Sequence, residues 1–157
     1  MRVRLARHAD AAILAKMAND LNDYVGIRSR PFTRERVMAD GFGPKAAFTP
    51  LVAEVDRVVV GYAFVSLGYN TDAAAREVWL HDLFVVPGAR GLGVGSALMK
   101  AVAARTLRLG ASSLAWGVHT ANTGALEFYR RLGSVDSKAR IMAISGKRLR
   151  ALTATTR

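Results

Sequence analysis

Seven residues, Arg90-Gly-Leu-Gly-Val-Gly-Ser96, make up the stretch of this chain whose composition points most directly to chemistry. They follow the apolar run Glu77–Val86 and precede a segment with helical periodicity. A turn without side chains lets backbone N–H groups converge on an anion, and the N-terminus of the next helix adds a favourable interaction of about 0.3–2 kcal/mol. This is a cradle for a pyrophosphate. A P-loop would need Lys then Ser or Thr after its last glycine, but Lys100 comes too late and Ala101 follows it. A dinucleotide fingerprint would need Gly-x-Gly-x-x-Gly and a downstream acid, and no acid occurs between Asp82 and Glu127. What matches is Arg-x-x-Gly-x-Gly, carried by Arg90, Gly93 and Gly95. Roughly 0.2 such strings are expected by chance in a chain of this composition, so its weight comes from its place between strand and helix.

The charge distribution agrees. The chain has 157 residues and a net charge of +11, yet residues 1–87 carry 11 basic and 10 acidic side chains, whereas 88–157 carry 12 basic ones against Glu127 and Asp136 alone. Arginine outnumbers lysine 18 to 5, which suits forked contacts to phosphate or carboxylate. Nucleic acid is not the expected partner, because aromatics are only 8% and no stacking motif interleaves with the basic residues. Absence of cysteine removes disulfides and thiolate chemistry, and His8, His81 and His119 lack metal-ligand spacing, so no metal is expected. The basic start is interrupted by His8, Asp10 and Lys16 before any apolar core forms, and no run reads as a membrane span. A soluble, cytoplasmic protein is the expectation.

The elements that must position the turn follow from periodicity. Val3–Arg7 alternates as a strand, and Asp10 is placed to cap a helix burying Ile13, Leu14, Met17 and Leu21. Thr33 caps a second helix ending before Gly41. Phe48–Val55 and Val58–Leu67 read as strands joined at Asp56-Arg57, and Glu77–Val86 as a central strand. A helix from Gly93 to a Gly110 cap, a strand Ser113–Val118, a helix opened by Asn122 or Thr123 and closed by Gly133, and a strand near Arg140–Ile144 complete the reading. Three consecutive strands fit a meander, so the expected class is an α/β sandwich with a mixed sheet, one domain over residues 1–150, and a basic tail over 151–157.

With Asn122-Thr-Gly-Ala-Leu-Glu-Phe-Tyr129-Arg-Arg-Leu-Gly133 as a second ordered motif, the chain resembles the GNAT acetyltransferase superfamily. Asp40-Gly-Phe-Gly43, Leu51-Val-Ala-Glu-Val55 and Trp79-Leu-His-Asp-Leu-Phe-Val85 make it most similar to the spermidine/spermine (diamine) and thialysine acetyltransferase group, over roughly residues 2–150. The resemblance implies a GNAT-like mixed, mostly antiparallel sheet flanked by helices, with splayed central strands admitting the pantetheine arm of acetyl-CoA. It implies that Leu83, Phe84 and Val85 offer backbone groups to that arm, that Arg90, Gly91, Leu92, Gly93, Val94, Gly95 and Ser96 hold the pyrophosphate, and that Asn122 and Ala125 line the far side. Where the diamine group has a coenzyme-touching arginine this chain has Leu132, leaving Arg130 or Arg131 as substitutes. A homodimer is implied as well.

An alkyl ammonium with pKa near 10.4 is neutral in only about one molecule in a few thousand at pH 7, so amine acetylation needs help with a proton. Direct attack then creates an oxyanion, for which the N–H of Phe84 or Val85 is a candidate donor. Tyr129 occupies the superfamily's tyrosine position and would protonate the leaving thiolate. For the base, Asp82, His81 and Glu77 acting through water all remain open. Tyr24, His81, Asp82 and Trp116 are the candidate acceptor contacts, Trp116 being equally a core residue. Polyamine-acetylating relatives place Glu where His81 stands and have an acidic first loop, whereas this loop carries Tyr24, Arg28 and Arg30 beside Asp23. A smaller amine, or one bearing a carboxylate that Arg28 or Arg30 pairs with, fits better. Alternatives are a coenzyme-binding protein without catalysis and a protein or aminoacyl N-acetyltransferase.

Overall fold

A computed structural model describes residues 1–153; the end of the expected basic tail, residues 154–157, lies outside the described residues. The chain falls into two compact units, Met1–Trp116 and the part from Gly117 onward. In the first, β1 (Arg2–Leu5) leads to α1 (Ala11–Tyr24) and α2 (Arg34–Gly41), then to a meander of β2 (Thr49–Val55), β3 (Val58–Asn70) and β4 (Ala75–Val85). After α3 (Val94–Arg108) comes β5 (Ser113–Trp116). The sheet has the order β1-β2-β3-β4-β5 and is antiparallel except between β4 and β5, whose parallel pairing requires the crossover through α3. This is the expected mixed α/β class. The second unit holds α4 (Thr123–Arg131) and α5 (Gly146–Thr153).

Local chemistry explains most boundaries. The β2–β3 turn works without glycine because Asp56 and Arg57 both take the left-handed conformation, at φ 48° and 68°. In the β3–β4 turn, Asn70 Oδ1 accepts from the N–H groups of Asp72 and Ala73 at 3.0 and 3.1 Å. The Thr33 hydroxyl caps α2 by accepting from Arg36 N–H at 3.1 Å. Two expectations need correction. Residues 140–144 form no strand: they join no ladder among the described residues, with Ile141 and Met142 72% and 87% exposed, and the Lys-Arg-Leu-rich sequence after Gly146 forms α5 instead. Asp10 precedes α1, but its carboxylate does not cap that helix.

Asp10 is instead engaged by Arg4. The guanidinium donates to both Asp10 oxygens at 2.6 and 3.1 Å and to Glu54 at 2.8 and 3.0 Å, while Arg7 N–H donates to Asp10 at 2.7 Å. This pins β1 and β2 to the start of α1. The Arg4 hydrogen bonds are the main reason that Asp10 titrates below the ordinary carboxylate range. A depressed folded-state pKa adds stability above the unfolded value, roughly pH 4, which is lost as pH falls through the folded value. Asp10→Ala should therefore cost about 2–4 kcal/mol at pH 7, and urea titrations should show its gap from wild type closing as the pH falls below the unfolded value, roughly 4.

The two faces of the sheet have different partners. Leu14, Met17 and Ala18 of α1 and Val37 of α2 pack with Val52, Tyr62, Phe64 and Phe84. Gly61 looks the other way: a Cβ there would lie 3.3 Å from Leu98 Cδ1 of α3 and 2.8 Å from the Phe84 carbonyl oxygen, so only glycine fits. By the two-residue period of a strand, Tyr62, Phe64 and Ser66 share the α1/α2 face, and Ala63 and Val65 share the α3 face.

Candidate active site

The β3–β4 ladder carries one irregularity, and it decides where the acidic residue goes. Leu80 pairs with Val65 and Asp82 with Phe64, which leaves His81 as an extra residue, a β-bulge. A regular hairpin would have set Asp82 opposite Ala63, on the α3 face. The bulge moves it to the α1/α2 face, where Tyr62 donates its hydroxyl to Asp82 Oδ2 at 3.0 Å. His81 reaches the same side, since its Nε2 shares a 2.8 Å hydrogen bond with Ser66 Oγ. Two consecutive residues thus contact one face of β3, Asp82 half-buried and His81 exposed. Burial raises the Asp82 pKa above the ordinary value, with the Tyr62 hydrogen bond and the His81 charge opposing it.

Beyond Asp82 the register identifies which backbone groups face outward. Val86 N–H donates to the Val60 carbonyl at 2.9 Å, so by alternation Phe84 is also turned to β3, and Leu83 and Val85 present theirs to the opposite edge. Phe84 turns its backbone groups toward β3, and its ring packs in the core. The ladder with β5 ends at Leu80–Trp116, five residues before β4 does. The Val85 carbonyl accepts from Arg90 Nε at 3.0 Å. That guanidinium lies 4.8 Å over the Tyr24 ring and 5.8 Å from the Phe84 ring, a cation–π stack joining the end of α1 to the end of β4.

The glycine-rich turn has the expected form. Gly91 and Gly93 are left-handed, at φ 79° and 78°, and no side chain caps α3. The first N–H groups of that helix are therefore left for an external acceptor. Gly91, Leu92 and Gly93 are exposed, Gly95 and Ser96 half-buried, and buried Val94 anchors the turn to the core. These features fit a pyrophosphate: open backbone donors, no competing carboxylate, and a fixed helix end.

In the second unit, Asn122 Oδ1 accepts from Ala125 N–H at 3.2 Å and so caps α4. Tyr129 is half-buried with its ring 5.1 Å from that of Phe128. His119 serves the preceding turn, its Nδ1 accepting from Ala121 N–H at 3.3 Å. In the first unit, Trp116 ends β5 half-buried. Glu77, five residues before Asp82 on β4, accepts from Ser113 at 2.8 Å and Asn70 at 3.2 Å. Arg30 is ion-paired with Asp23 and lies 3.5 Å from Asp20. Residues missed from sequence are Tyr62 and Ser66. A tyrosine in a core strand should have signalled a partner for its hydroxyl, but the bulge that supplies Asp82 leaves no mark in the sequence.

The model of the acetyltransferase (GNAT) family matches residues 15–134. The chain belongs to the GNAT acetyltransferases. A thialysine N-epsilon-acetyltransferase of Mus musculus is 33% identical over 144 residues, covering 86% of this chain and 84% of the relative. An L-ornithine N5-acetyltransferase of Arabidopsis thaliana is 30% identical over 98 residues, covering 62% and 43%. Among solved structures, a Vibrio cholerae integron cassette protein superposes with TM-score 0.81 at 20% identity, covering 98% of each chain. An aminoglycoside acetyltransferase from a soil metagenome, in complex with sisomicin, superposes with TM-score 0.77 at 15% identity, covering 93% of this chain and 96% of that one; these two show the GNAT fold. The protein is thus an N-acetyltransferase, and its family uses acetyl-CoA as donor. Among the described residues no group of three or more His, Cys, Asp or Glu can hold a metal, and no helix is long and apolar enough to cross a membrane.

Proposed function

We propose that this GNAT enzyme acetylates the terminal amine of a small molecule, either a short diamine or an amino acid with an amino-bearing side chain. The observation that carries the reading is the bulge-directed pair at the end of β4: Asp82, half-buried and held by Tyr62, beside exposed His81, both upstream of the glycine-rich turn. Acetyl-CoA supplies the thioester carbonyl, which the neutral amine attacks directly in a ternary complex, releasing the thiol. Gly91 to Ser96 hold the pyrophosphate through their N–H groups, Leu83 and Val85 bind the pantetheine arm through outward backbone groups, and the family resemblance assigns Asn122 and Ala125 to the coenzyme as well. Of the two oxyanion donors considered, the alternation favours Val85 N–H.

Asp82 attracts the ammonium and takes up its proton, directly or through His81, and Tyr24 and Trp116 border the amine. Tyr129, by its family position, returns a proton to the thiolate. The names of the relatives specify the ε nitrogen of thialysine and N5 of L-ornithine, both amines of amino acids. Since Arg30 is engaged by Asp20 and Asp23, Arg28 is the candidate for a substrate carboxylate. A single domain over residues 1–150 and a cytoplasmic location belong to the same reading, and a homodimer follows from the family resemblance. The test is to incubate the protein with acetyl-CoA and putrescine, spermidine, lysine, thialysine or ornithine while following free thiol. Turnover greatest with a short diamine or an amino acid is expected. Preference for spermidine would overturn the substrate class, and no turnover across the panel would overturn the whole reading.

A further inference from the structure

Tyr62 is fully buried in an aromatic cluster with Phe64 and Phe84, their ring centroids 4.5 and 6.2 Å away, and Phe48 stacks 4.3 Å from Phe64. Phenylalanine would serve the packing there equally well, and a buried hydroxyl costs free energy unless it is bonded. The one phenol in this cluster is the one whose oxygen meets Asp82. Its direction is fixed, because burial first and the Asp82 charge second push the phenol's pKa up, so it remains protonated and always donates. The bond engages Oδ2 only, and Oδ1 accepts no hydrogen bond among the described residues.

We infer that Tyr62 is a positioning residue for acetyl transfer: its hydroxyl holds one oxygen of Asp82, keeps that carboxylate ionised within the core edge, and leaves the other oxygen to meet the amine. The inference rests on the reading of Asp82 as the group that meets the ammonium. The charged and titratable groups around the pair are His81 on β4, bonded to Ser66 of β3, Asp20 on α1, whose charge acts on Tyr62, and Arg90 beyond Phe84. Of these, only the Tyr62 hydroxyl bonds Asp82 directly among the described residues.

Tyr62→Phe removes the donor and keeps the ring. A half-buried carboxylate without its donor titrates higher, so the acid limb of the kcat/KM profile should move up by about one pH unit. The plateau above it should remain within about tenfold of wild type. The Asp82 carboxyl carbon, followed by NMR and assigned by its absence in Asp82→Asn, should move by the same amount. An Asp82 titration unchanged by Tyr62→Phe overturns the inference, as does a uniform fall in rate at every pH, which is what a merely structural role predicts. If the carboxyl titration moves but Asp82→Asn turns over like wild type, the reading of Asp82 as catalytic falls while Tyr62's control of its ionisation stands.

Discussion

Tyr129→Phe is expected to lower kcat by about 100-fold while leaving acetyl-CoA affinity within about twofold of wild type. Proton balance sets the size of this effect. A thiol of pKa near 8.5 leaves as thiolate, and a phenol near 10 is a matched donor that needs no ionisation of its own at neutral pH. General-acid catalysis contributes about 10²–10⁴-fold, and the lower end applies because a thiolate is already a competent leaving group at pH 7. The Phe ring preserves the contact with Phe128 in α4, so coenzyme binding should hold. Steady-state kinetics with direct coenzyme titration check both halves. Unchanged turnover would remove Tyr129 from the acid role.

Asp82→Asn is the second large effect. It should reduce kcat/KM for the amine by about 100-fold or more, because it removes both a charge that attracts ammonium and a proton acceptor. The loss should not come from unfolding. Asn retains an oxygen to accept from Tyr62, and the variant no longer buries a charge. The sign follows from linkage: burial raises the folded-state pKa of Asp82, so in the interval between the unfolded value and that raised value the native state binds the extra proton. Stability contributed by this group is full below the unfolded pKa and declines as pH rises through the folded one. At pH 7 the Asn variant should accordingly melt at or above the wild-type temperature, which separates a catalytic defect from a folding defect.

Much of this architecture was legible beforehand, for reasons that particular residues make plain. Gly91, Gly93 and Gly110 mark left-handed positions, and Thr33 and Asn122 are capping residues, so local chemistry alone locates those helix ends. The glycine-rich turn was legible because its function resides in the backbone. Asp82 and His81 were legible as residue types, but not as neighbours on one face, because strict alternation sends them to opposite sides and the bulge is a property of the paired strands. Residues 140–144 carry the apolar run Ile141-Met-Ala-Ile144, which suits a strand, yet strand formation depends on a partner edge that a run of residue types does not report. Arg30 looked available for a substrate carboxylate, but Asp20 and Asp23, three residues apart on α1 with Lys16 beside Asp20, already attract it.

Acetyl is expected to pass straight from coenzyme to amine, with no acyl-enzyme between, in a chain that has no cysteine to carry one. The most direct measurement pairs free-thiol release with the intact mass of the protein, with and without the amine. Thiol is expected only when both substrates are present, with one acetylated amine per thiol and no change in protein mass. Thiol release with acetyl-CoA alone, accompanied by an acetylated protein that then passes its acetyl group to the amine, would contradict direct transfer.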